Sequence, residues 1–181
     1  MTRYAVPPPA VPIGLSLLTT SPQSIGWGFR VGSTSGPASA AWPSANLAIF
    51  VPVTLGASER IDAIRAVITN GTAASGNFDV GIYDENWNRV ASLGSTAQSG
   101  TSVAQLATVS WTLTKGRWYL GLAFDNTTAT VAAIGSFAVG SLAALGCAQM
   151  ASAFPLPATV TPARCAQTIL PIFGVSRTAA L

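Results

Sequence analysis

The sequence predicts an all-β protein, an antiparallel β-sandwich of jelly-roll-like type with an extended Pro/Gly-rich N-terminal arm. Three observations lead there. Apolar residues alternate with a period of two in several short segments. Turn signals separate those segments at regular intervals. No segment carries a sustained apolar stripe at helical spacing.

Residues 1–44 differ from the rest. They hold Pro7, Pro8, Pro9, Pro12, Pro22, Pro37 and Pro43, and a Gly/Ser-rich run from Gly32 to Ser39. Proline favours extended backbone and supplies no ladder donor. This region reads as an arm, with one short strand near Trp27–Val31, and residues 45–181 read as the sandwich domain. In an assembly such an arm would lie across a neighbour; alone it would wrap the surface.

The sandwich region opens with Asn46–Thr54, where Leu47, Ile49, Val51 and Val53 share a face. Pro52 marks this segment as an edge strand or a strand end. Ile61–Ile68 fits both a helical stripe and an alternation; its shortness and the Asn70-Gly71 turn favour a strand. Asn77–Asp84 alternates cleanly, with Phe78, Val80 and Ile82 on one side and Asp79, Gly81 and Tyr83 on the other. Residues 84–88 turn the chain, Arg89–Leu93 returns, and Gly94–Ser102 reads as a polar loop. Val109, Trp111 and Leu113 alternate next. After Lys115-Gly116, Trp118, Leu120, Leu122 and Phe124 face inward, with Tyr119, Gly121 and Ala123 outward. Weaker strands are expected at Ala129–Ile134, Gly146–Ala151, Thr159–Pro162 and Thr168–Val175.

Composition narrows the function classes. Hydrophobic residues make up 49% of the 181-residue chain and charged residues only 8%, against about 25% charged in ordinary soluble domains. So sparse a charged surface suits a subunit buried against others better than a free monomer. The nine basic residues are scattered and the net charge is only +3, so no nucleic-acid footprint is visible. Apolar stretches break long before the ~20 residues a membrane-spanning helix needs. Pro7–Pro9 stand where a signal peptide needs its apolar run. The expectation is a protein made in the cytoplasm and not exported by the general secretory route.

The chain has no histidine. Histidine is the commonest general base and a leading metal ligand, so Ser-His-Asp and Cys-His catalysis is excluded within one chain. Two cysteines with no histidine do not make a zinc site. Paired carboxylates of the glycosidase kind remain open, because the strand of Asp79 can lie near the one ending at Asp125. The ordinary role of turn acids such as Asp84 is to bond their own backbone. Residues 84–88 open like a calcium loop, but Arg89 and Ser95 stand where the EF-hand pattern wants Gly and Glu. The expectation is no catalytic residue, no metal and no cofactor. Cys147 and Cys165 are compatible with one disulfide, or with two reduced, buried thiols in a reducing compartment. Asn70-Gly71-Thr72 and Asn126-Thr127-Thr128 read as turns. Trp42, Trp87, Tyr83 and Tyr119 are the candidate contacts with a neighbouring subunit or a glycan.

The middle of the chain carries a series: Asn70-Gly71, Gly76-Asn77-Phe78-Asp79-Val80-Gly81-Ile82-Tyr83-Asp84, Gly94-Ser95-Thr96-Ala97-Gln98, and Gly116 through Asp125. Over roughly residues 45–135 it resembles β-sandwich domains of tailed-bacteriophage virion structural proteins of the minor tail, fibre-like or head-decoration type. The resemblance implies a non-enzymatic virion protein, homo-oligomeric and often trimeric, packed against other virion proteins. A receptor-binding module that contacts a host-surface glycan is the alternative it leaves open. Gly81 and Gly121, outward on central strands, would leave room for another layer or subunit to pack closely.

Overall fold

A computed structural model describes residues 24–26, 38–55, 64–111, 113–134 and 137–177. The strand expected near Trp27–Val31 lies outside them. The chain order is β1 (Ser24–Gly26), β2 (Ala38–Ala41), β3 (Ala48–Leu55), β4 (Ile64–Thr69), β5 (Asn77–Tyr83), β6 (Arg89–Ser92) and β7 (Thr96–Ala97). There follow β8 (Ala104–Val109), β9 (Gly116–Phe124), β10 (Thr130–Ile134), the one-turn helix α1 (Ser141–Ala144), β11 (Ala148–Met150), β12 (Ala163–Arg164), β13 (Leu170–Pro171) and β14 (Phe173–Arg177).

Every strand pair is antiparallel. A seven-stranded sheet runs β12-β11-β3-β9-β5-β6, with β7 also paired to β5. Two shorter sheets, β1-β14-β4-β8 and β13-β10-β2, supply residues to the same core. A bridge between Asn70 and Val131 links those two. The protein is an antiparallel β-sandwich.

The core follows from strand parity. Side chains alternate across a sheet, so the register that pairs Ile49 with Leu122 and Val80 with Leu122 stacks apolar residues in rows. Ile49, Val51, Phe78, Val80, Ile82, Leu120, Leu122 and Phe124 form one buried cluster with Ile68, Val131, Leu170 and Phe173 of the shorter sheets. Each such side chain removed from water contributes roughly 1.5–3 kcal/mol.

Several sequence expectations are corrected. The boundary at residue 44 cuts through the sandwich: β2 pairs with β10 over four residues, and Trp42 is 1% exposed in the core. Strand β3 is internal at its start, flanked by β11 and β9. Pro52 is tolerated because β11 reaches only Phe50, so the β11 side of Pro52 has no ladder to donate to. The strand expected at Thr159–Pro162 reduces to one bridge between Asn88 and Thr159, and the paired residues are Ala163–Arg164. The polar loop after Gly94 contains β7. A helical turn forms at α1, anchored by buried Leu142, where no helix is expected from the sequence.

Candidate functional site

The second face of the seven-stranded sheet holds the residues read as outward. Ala48, Phe50, Tyr83, Tyr119 and Ala123 are nevertheless buried, in a second apolar cluster with Ala153, Leu156 and Val160. Residues 151–162, between β11 and β12, lie over this face as a strap. The room at Gly81 is therefore taken by the strap, and the room at Gly121 by the Phe50 ring of the neighbouring strand β3. The two glycines are paired across β5 and β9. A Cβ on Gly121 would stand 2.9 Å from the Phe50 ring, and one on Gly81 would stand 2.8 Å from Leu156 Cδ1.

Polar groups of the sheet fasten the strap by its backbone. Asp79, fully buried, accepts a hydrogen bond from Leu156 N at 3.0 Å and one from Gly94 N at 2.9 Å. Arg89 donates from Nη1 to the Leu156 carbonyl. Tyr83 Oη donates to the Pro157 carbonyl at 2.8 Å. Backbone bonds Arg89 N to Ala158 O and Val160 N to Trp87 O run alongside, and Ala153 N donates to Asn46 O. Burial pushes the Asp79 carboxyl above its ordinary range, against the pull of the backbone donors of Leu156 and Gly94 and of the Arg89 charge. Burial likewise raises the Tyr83 phenol.

The aromatic candidates divide between the two faces. Tyr83, Trp87 and Tyr119 come together on the strap side; Trp42 does not join them. Trp87 sits at φ 65° in the hairpin turn that Asp84 organises by accepting from Asn86 N and Asn88 N, both at 2.9 Å. Its ring stacks on Tyr119 at 3.9 Å and 22°, and meets Phe50 edge-on at 5.6 Å. Arg117 lies over the Tyr119 ring, 5.1 Å from its centroid. Trp87 is half-buried, while Tyr83 and Tyr119 are buried. Trp42 packs 4.8 Å from Phe124 and donates from Nε1 to Leu47 O at 3.0 Å. Trp42, Tyr83 and Tyr119 are thus corrected from surface contacts to core residues, because each ring finds apolar cover within the chain.

Asp79, Asp84 and Asp125 are occupied with structure. Asp125 accepts from Asn77 N, Asn77 Nδ2 and Asn126 Nδ2. Burial alone would raise its carboxyl, but these bonds together hold it below the ordinary range. Asp84 is held low by donors from Asn88 and Asn86. Among the described residues, no group of three or more His, Cys, Asp or Glu could hold a metal ion, and no helix is long and apolar enough to cross a membrane. Asn126 turns its chain by accepting from Thr128 N and Ala129 N. Asn70 is buried and bonds Ser99 O and Gly100 O, while Gln98 Nε2 donates to Asn70 Oδ1 at 2.5 Å. Cys147 and Cys165 are free and buried, so the pair is not bonded in this structure.

Sequence reasoning missed Arg89 and the strap as functional parts. The signal was present in Phe154-Pro155-Leu156-Pro157, an apolar, proline-rich run without charge. Neither family models, curated proteins nor solved structures offer a match to the chain.

Proposed function

We propose that this protein is a non-enzymatic structural component of a bacteriophage particle: a capsid-decoration, collar or tail-associated subunit. It acts by packing against like copies, in a trimer, and against other virion proteins. One observation carries the reading. The two runs that resemble phage sandwich domains become the adjacent central strands β5 and β9, and their polar residues Asn77, Asp79, Tyr83 and Asp125 are spent on internal bonds. Such residues serve a scaffold and not a reacting centre. The 8% charge content adds support, since a surface so poor in charge gains from burial between subunits.

Particles produced by the encoding genome, labelled with antibody against this chain, should carry it at a regular position. Purified protein should sediment as a trimer. A truncation lacking residues 1–23 keeps every described strand and should fold but fail to incorporate. A monomer that labels no particle would overturn the assignment.

The half-buried Trp87 on Tyr119, with Arg117 exposed beside them, supports the alternative of a glycan-binding adhesion module. That reading requires glycan-array binding that Trp87→Ala abolishes.

A further inference from the structure

Cys147 and Cys165 stand at the two ends of the segment that carries the strap. Ala148 is paired with Arg164 and Gln149 with Ala163. One further step of this antiparallel register sets Cys147 opposite Cys165. Parity agrees, because Ala148 belongs to the strap-side cluster while both cysteines belong to the inner core. Directly opposed residues of antiparallel strands have Cα atoms about 4.5–5.5 Å apart, within the span of a disulfide.

We propose that Cys147 and Cys165 form an oxidation site, a cross-strand thiol pair that closes to an intramolecular disulfide and locks the strap at its base. The oxidant is a small disulfide such as oxidised glutathione. One cysteine thiolate attacks it, a mixed disulfide forms, and one glutathione thiolate leaves. The second cysteine thiolate then attacks the protein-bound sulfur, the Cys–Cys bond forms, and the second glutathione leaves. Two S–H bonds are lost, and their two electrons reduce the oxidant to two thiols.

Burial pushes the Cys147 thiol up to about 12 and raises Cys165 as well. The folded protein therefore presents little thiolate. Exchange proceeds while the chain folds or when the short β11-β12 pair opens. The ring so closed contains the whole strap, which could then no longer peel away from one end. In a particle assembled in a reducing cytoplasm, the lock would close after release; that timing rests on the proposed function, whereas the site does not.

The test uses the isolated full chain, so its outcome is independent of particle labelling. Reduced, denatured protein is refolded with oxidised glutathione. Intact mass should fall by about 2 Da, with Cys147 and Cys165 in one linked peptide. Melting should rise by about 5–10 °C over the reduced protein. The Cys147→Ala/Cys165→Ala variant should melt alike in both buffers. If refolding fails, the native protein is oxidised with diamide at about pH 8.5 and its mass read in the same way. Free thiols, glutathione adducts or linked dimers in place of the intramolecular bond would overturn the site. An equal rise in the double variant would overturn the lock.

Discussion

Over the central strands β3, β5 and β9 the two faces of the seven-stranded sheet are both buried, but they are covered differently. The inner face is covered chiefly by residues of the two shorter sheets, among them Ile68, Val131, Leu170 and Phe173. The strap face is covered by irregular chain. Irregular backbone cannot satisfy its own donors and acceptors, so backbone and polar side chains of the sheet and its hairpin turn must do it. Asp79, Tyr83 and Arg89 serve the strap backbone for that reason. Covering a sheet with a loop thus calls for polar groups aimed at the backbone of that loop.

This contrast can be broken from either side. The largest loss is expected on the inner face: Phe124→Ala removes a fully buried ring packed on Trp42 and Phe78, costing about 3–5 kcal/mol in urea unfolding. A loss under 1 kcal/mol would mean that the inner core is loosely packed. Next comes Gly121→Ala. The new Cβ meets the Phe50 ring, which Tyr83 and Trp87 pin edge-on, so the cost is about 1–3 kcal/mol. A neutral outcome would show that the Phe50 ring yields easily.

Tyr83→Phe orphans the Pro157 carbonyl and should cost about 1 kcal/mol. Amide exchange should quicken in residues 153–160 while β5 and β9 stay protected. Uniform acceleration would contradict a separate strap layer.

The smallest and sharpest effect concerns pH. Burial first, then the weaker opposing donors, leave the Asp79 carboxyl above its ordinary 3.8. Folding thereby favours the protonated acid. The stability this group contributes is fully present below the unfolded value and lost as pH rises through the folded one. Asp79→Asn carries no such titration. The stability gap between wild type and Asp79→Asn should therefore narrow as pH rises from about 4 to about 7, and a widening gap would reverse the sign. Asp84 and Asp125 are held low and act oppositely, with stability lost as pH falls, but they are common to both proteins and cancel.

Much of the fold is legible in the residues. The faces of Leu47–Val53, Phe78–Ile82 and Leu120–Phe124 are as alternation predicts, because parity is a property of extended backbone. The glycines at 81 and 121 announce close packing on that face, of Leu156 at the first and of the Phe50 ring at the second. The site is less legible. Alternation tells which side Tyr83 and Tyr119 occupy but not whether that side is wet. Trp42, among prolines, reads as arm, yet its ring fits against Phe124, a contact 82 residues distant in sequence that no local pattern encodes.

The sequence by itself determined strand parity, the absence of histidine chemistry and the poverty of surface charge, all of which are local or compositional properties. Only the tertiary structure decided that the second face is buried by residues 151–162, that Asp79 is a fastening and not a surface acid, and that β11 pairs with β12 directly beside Cys147 and Cys165. Each of these depends on which distant segment comes to lie across a face. That is settled by the summed burial and hydrogen bonding of the whole chain.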